Sequence, residues 1–224
     1  MTERSVWTEN SANLDLERAA SRFARLYLDS LRAADTSGAF RVASGALEQG
    51  MTVPQLYQRV ISPAMHEVGE LWERGALTVA DEHLATALTH RVLAALRPQP
   101  GAGPTGASME KGCVMLAAVQ GEQHALGLRM AADVLEDAGF RTIYLGADVP
   151  TDALLQAISS LSPDSLVLGV TMPELTPQLH EVADAVRKAH PQLGLLVGGQ
   201  AASPPEGGML IQDLEALPER LPQA

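Results

Sequence analysis

Apolar residues in the first hundred positions recur every three or four, as in Leu26, Leu28 and Leu31 and again in Leu56, Val60, Met65, Val68, Leu71 and Trp72. This is the spacing of helices that bury one face. It predicts four helices, over roughly 14–34, 37–49, 53–74 and 79–96. Thr52 can cap the third, and Pro54 is tolerated just inside its start because the first helical N–H groups have no intrahelical partner. Pro63, deeper in the same stretch, predicts a kink or a split. Trp72 closes that helix, Gly75 can take the left-handed conformation that ends helices, and Thr78 with Asp81 makes the T-x-x-D capping box that opens the next. A helical hairpin follows.

The period then changes. Residues 97–112, "RPQPGAGPTGASMEKG", are dense in Pro and Gly and carry little that could pack, which marks a linker. Beyond it short apolar runs ("CVMLAAV", "TIYLG", "SLVLGV", "GLLVGG") alternate with amphipathic stretches at 124–138, 151–161 and 174–190. Buried parallel strands alternating with helices predict a doubly wound sheet. The tail leaves room for a short fifth strand at 208–211 and a last helix. The chain thus divides into an all-α domain at 14–97, a linker at 98–111 and an α/β domain at 112–224.

Composition narrows the function classes. The 27 acids against 16 bases give a formal charge of −11 in 224 residues, which repels nucleic-acid backbones and anionic lipid. Direct nucleic-acid binding is therefore not expected. No apolar segment reaches the ~18 residues of a membrane span, and the N-terminus has no signal pattern. The only cysteine, Cys113, opens an apolar run and reads as a buried small hydrophobe. A cytoplasmic address is the expectation.

The turn after the first strand, "GEQHALG", carries the candidate chemistry. In open parallel sheets ligands bind beyond the carboxyl ends of the strands, and this turn borders that crevice. Its glycines do not complete the dinucleotide fingerprint G-x-G-x-x-G, and it lacks the Lys-Ser/Thr of a phosphate loop. An imidazole two residues after a carboxylate suits metal ligation instead. Glu122 can accept the proton of one ring nitrogen of His124 and leave the other nitrogen's lone pair free. One protein ligand is too few for zinc, so a metal would have to arrive already chelated. On pattern alone His124 is either such a ligand or a solvated structural histidine. In the helical half, the hairpin brings Trp72 to the same end as Glu82 and His83. These are either converging site residues, or a core tryptophan and a solvated first turn favoured by the helix dipole.

Taken together, the two constellations resemble the cobalamin-binding proteins, in which a helical cap precedes a Rossmann-like domain bearing D/E-x-H-x-x-G. That motif stands here as Glu122-x-His124-x-x-Gly127, with Gln123 inside it, and the family's later glycine pair is Gly198-Gly199. The helical half is similar to the cap of the cobalamin-dependent light-sensing regulators, whose W-x9-E-H signature is met by Trp72, Glu82 and His83. The resemblance implies a four-helix cap followed by a Rossmann-like, flavodoxin-like parallel sheet. It implies that His124 binds cobalt in place of the cofactor's own lower base, with Glu122 orienting it. The displaced nucleotide tail would pass Gly169, Val170, Thr171, Gly198 and Gly199, and Trp72, Glu82 and His83 would surround a 5'-deoxyadenosyl group. Adenosylcobalamin is thus the implied cofactor, and the implied role is a photoreceptor module rather than an enzyme. Such a module would act through a protein partner, such as a transcription regulator, or through a homo-oligomer. A corrinoid carrier of a methyltransferase system is the alternative, and an isomerase's cobalamin subunit is disfavoured because no substrate-binding barrel is present. Two departures from the family pattern stand out. Its S-x-L/T element reads Gly169-Val170-Thr171, without the serine hydroxyl. The histidine that follows the tryptophan in the light sensors is Glu73.

Overall fold

The computed structural model describes residues 3–97 and 111–222, with side chains from Leu14 onward. The chain forms two compact units, Met1–Gly103 and Pro104–Ala224. All of the expected linker at 98–111 except Lys111 lies outside the described residues.

In the helical unit the apolar stripe of α1 (Glu3–Arg32) buries Phe23, Tyr27 and Leu31. The helix starts well before position 14, because hydrophobic spacing locates the buried stripe and is silent about polar turns that extend it. Next comes α2 (Thr36–Glu48), whose buried face is made of Gly38, Ala39, Ala43 and Ala46, small enough for close helix approach. The expected third helix is a continuous helical run in three parts: α3 (Val53–Leu56), a π turn (Tyr57–Ile61) and α4 (Ser62–Glu73). Pro63 explains the π turn. Its missing N–H and its ring spoil the bond to residue 59, and the ladder widens so that the Ser62 N–H reaches the Tyr57 carbonyl. Thr52 and Gln55 cap the run reciprocally, at 3.3 and 3.2 Å. At its end Gly75 has φ +70° and donates to the Trp72 carbonyl at 2.9 Å. The next helix, α5 (Val79–Leu96), opens on Thr78, whose Oγ1 accepts from the Asp81 N–H while Asp81 Oδ2 accepts from the Thr78 N–H.

The second unit alternates β1 (Cys113–Val119), α6 (Leu126–Asp137), β2 (Arg141–Val149), α7 (Thr151–Leu161), β3 (Ser165–Gly169), α8 (Thr176–Ala189), β4 (Gly194–Gly198) and β5 (Met209–Ile211). The strands are all parallel, in the order β2-β1-β3-β4-β5. Alternate residues sort into two cores. Met115, Ala117 and Val119 pack with Leu154 and Ile158 of α7 and Leu179, Val182 and Val186 of α8. Val114, Leu116 and Ala118 pack with Leu128, Ala131 and Leu135 of α6. The expected last helix is only a 3-10 turn, Leu217–Arg220, since Pro218 and Pro222 withhold the N–H groups a longer helix needs. Leu217 and Leu221 nevertheless complete the α6-side core. Strand order reverses between β1 and β3, so the topological switch point lies where the loops after those two strands meet. No helix among the described residues is long and apolar enough to cross a membrane.

Candidate functional site

Both loops at that switch point are tied to one carboxylate. Glu122 is fully buried, at 0% exposure. Its Oε1 accepts from the His124 backbone N–H at 2.8 Å and lies 2.6 Å from His124 Nδ1. Its Oε2 accepts from the backbone N–H groups of Thr171 and Met172, at 2.6 and 3.0 Å. Burial raises the pKa of the carboxyl. The donors from Thr171, His124 and Met172 outweigh that effect and hold it below the ordinary glutamate value. Glu122 is therefore an anion that fixes the imidazole with Nδ1 as the donor. The His124 side chain is 54% exposed, so Nε2 is left to face outward as an acceptor.

The loop that carries this pair is clamped from the edge strand. β2 breaks register with β1 twice near its carboxyl end, and such bulges re-aim side chains. There Asp148 adopts φ +52°, donates its N–H to the Glu122 carbonyl at 2.8 Å and accepts the Gly121 N–H on Oδ1 at 2.7 Å. Tyr144 of the same strand donates its hydroxyl to the Ala125 carbonyl at 3.2 Å. Sequence reasoning missed Asp148 and Tyr144, and Met172 as a backbone donor. No local pattern marks them, since the bulges and the parallel pairing bring them in from afar.

The other expected residues are placed as follows. Helix α6 begins only at Leu126, so His124 stands on a loop and not on a helix. Gln123 and Gly127 are exposed. A Cβ added at Gly127 would meet nothing within 4 Å, so packing inside the chain does not require glycine there. Gly199 differs: it has φ +111°, and a Cβ would stand 2.0 Å from the Val170 carbonyl oxygen. Its glycine is explained by the backbone of the protein itself. The side chain of Val170 points into the α7/α8 core, so Val170 offers this crevice only backbone. Gly169 and Gly198 are register partners at the ends of β3 and β4.

In the helical unit, Trp72 is not core. It stands 45% exposed at the end of α4. His83 Nδ1 lies 2.5 Å from Glu82 Oε2, and Glu82 Oε1 accepts from the Thr86 hydroxyl at 2.8 Å. This pair repeats the chemistry of the other unit, a carboxylate on Nδ1 with Nε2 free. Among the described residues no three His, Cys, Asp or Glu side chains gather into a metal site. His124 could thus hold a metal only as a single protein ligand to an ion chelated by another group, with Nε2 of its half-exposed side chain as the available nitrogen.

Comparison with known proteins agrees with this chemistry. Family models described as B12 binding domain match residues 112–213 and, separately, residues 24–97. The HTH-type transcriptional repressor CarH of Myxococcus xanthus is 34% identical over 147 residues, 65% of this chain and 47% of the repressor, so the chain spans about half the length of that relative. Trimethylamine corrinoid protein 1 of Methanosarcina acetivorans is 24% identical over 181 residues, 76% of this chain and 80% of that protein. The solved monomethylamine corrinoid protein of Methanosarcina barkeri superimposes with a TM-score of 0.71 over 89% of this chain and 96% of its own, at 16% identity, a likeness of fold.

Proposed function

We propose that this chain, a member of the B12-binding domain family, is a light-sensing module that holds adenosylcobalamin. His124 Nε2 would bind cobalt from below, and Trp72 with the Glu82–His83 pair would take the upper ligand. The observation that carries the reading is the exposed Trp72 at the turn of the α4/α5 hairpin, an indole of 45% exposure whose apolar face is available to a bulky upper group. When bound, adenosylcobalamin supplies a cobalt–carbon bond that visible light cleaves.

The protein's own residues do the rest. Glu122 holds the Nδ1–H tautomer, so that the lone pair of the neutral ring lies on Nε2; its negative charge strengthens that hydrogen bond and makes Nε2 a stronger donor to a metal. Because the same carboxylate holds the Thr171 and Met172 amides, a change in the pull on His124 reaches the loop after β3 directly. Trp72, Glu82 and His83 would hold the adenosyl group of a bound cofactor, and their contacts with it would exist in only one of the two states. That gives the differential interaction free energy a two-state change requires. The signal would pass to a protein partner, such as a transcription regulator, or to a homo-oligomer.

A methyl-group carrier is the second reading, favoured by the corrinoid protein matched over 76% of the chain. The test reconstitutes the chain with adenosyl- and methylcobalamin in darkness and records spectra and size-exclusion elution before and after green light, beside His124→Ala. Sensing predicts an elution change on illumination with adenosylcobalamin, and a shifted dark spectrum with weaker binding in His124→Ala. Elution that stays identical despite spectroscopically complete photolysis would favour the carrier. An unaltered spectrum in the variant would remove His124 from cobalt.

A further inference from the structure

Three small residues stand side by side where β1, β3 and β4 end: Ala118 is opposite Gly169, and Gly169 is opposite Gly198. Strand alternation puts all three on the face that α6 covers, since Ala118, Val167 and Leu196 belong to that core. The row makes a trough floored largely by backbone. At Gly169 the trough is filled by one side chain. A Cβ added there would lie 2.8 Å from both Cγ and Cδ1 of Leu128, too close for any real contact. Next door, a Cβ at Gly198 would meet nothing nearer than the Ile211 carbonyl oxygen at 3.6 Å, an ordinary distance.

Leu128 is 6% exposed and sits in the first turn of α6, directly after Gly127. That turn is lightly held, because Ala125 at the N-cap offers no side-chain cap. A leucine on an uncapped first turn, lying on bare glycine backbone at the mouth of a ligand crevice, is an apolar filler that another apolar group of similar thickness can replace.

We propose that Leu128 is a plug in the corrinoid tail's place and a specificity-determining residue: it must swing out for a nucleotide tail to enter and has no need to move for a corrinoid without one. The inference rests on the corrinoid-binding reading. It accounts for Gly169 as well. With Leu128 at this distance a serine would collide with it, so the missing hydroxyl and the leucine form one adaptation. The aromatic base of an entering tail regains the apolar contact that Leu128 gives up, so the exchange slows entry more than it weakens the final complex.

The test compares binding rates of cobalamin with those of cobinamide, the same corrin ring without the nucleotide tail, by stopped-flow absorbance. Leu128→Ala is expected to speed cobalamin association about tenfold, the equivalent of about 1.4 kcal/mol off the barrier, and to leave cobinamide association unchanged. Leu128→Phe should slow cobalamin alone. Should Leu128→Ala fail to fold, judged by far-UV circular dichroism, Leu128→Val is expected to act in the same sense to a smaller degree. Equal acceleration of both corrinoids, or no acceleration of cobalamin, overturns the plug while leaving corrinoid binding intact. A parent protein that binds neither corrinoid overturns both.

Discussion

Replacing Glu122 by glutamine keeps the side-chain shape and changes half of its hydrogen-bonding sense. The carboxylate accepts four donors in a fully buried site: the His124 N–H and Nδ1 on one oxygen, the Thr171 and Met172 N–H groups on the other. An amide has one oxygen: with that oxygen kept on the Thr171 and Met172 N–H groups its NH2 faces His124, where the ring can change tautomer and accept on Nδ1 but the backbone N–H loses its acceptor. A donor left without an acceptor costs about 1–3 kcal/mol, which puts Glu122→Gln at about that much against the sheet unit. A typical domain has only about 5–15 kcal/mol to lose. The sign of the pH dependence is also set. The native carboxyl titrates below its ordinary value of 4.5, so its contribution is fully present above that value and is lost as pH falls through the lower, native one. Glutamine has nothing to titrate and should lack this component of acid sensitivity. Both tryptophans, Trp7 and Trp72, belong to the helical unit, so their fluorescence does not report on the sheet. Native-state hydrogen exchange of β1 and β3 peptides does, from neutral pH down to well below 4.5. Protection in the variant equal to that of the parent would refute the four-donor account, as would an unchanged acid dependence.

Two further outcomes follow from the site. Asp148→Ala should loosen the His124 loop, costing about 1–2 kcal/mol through the lost Gly121 contact and a strained alanine at φ +52°. Asp148→Gly should cost less, because glycine accepts that conformation, and urea unfolding of the two variants ranks them; the reverse order would argue against the clamp. Trp72→Ala should relax the preference for adenosyl- over methylcobalamin in competitive binding and, the indole being 45% exposed, shift stability by no more than about 1 kcal/mol. Unchanged ligand preference would take Trp72 out of the upper site.

What could be read along the chain was what the chain decides within a few residues. Thr52 with Gln55 and Thr78 with Asp81 cap their helices through neighbours three apart, and strand and helix periods were separated by the same local rule. The π turn was not legible. A missing N–H at Pro63 states that the ladder must give way, but whether by kink, break or widening depends on what the helix packs against. The last helix failed for a related reason: room for a helix is a matter of length, whereas Pro218 and Pro222 decide whether its hydrogen bonds can form.

The same division runs through the site. Glu122 and His124 are two residues apart, and their pairing could be anticipated from side-chain reach alone. Two of the three backbone donors that hold Glu122 as an anion are 49 and 50 residues away in Thr171 and Met172, and the clamp on Gly121 is 27 residues away in Asp148. Parallel strands bring such partners together only after an intervening helix has crossed over, so no spacing along the chain encodes them. Trp72 shows the converse. Its position continues the apolar series Val68 and Leu71, and by period it belongs inside, yet the hairpin turn leaves it at the surface. An indole left 45% exposed at the end of a helix gains only part of what full burial would give. Its exposed part is the surface that the proposed upper ligand would cover, which is why the competitive-binding comparison of Trp72→Ala is the direct test of that role.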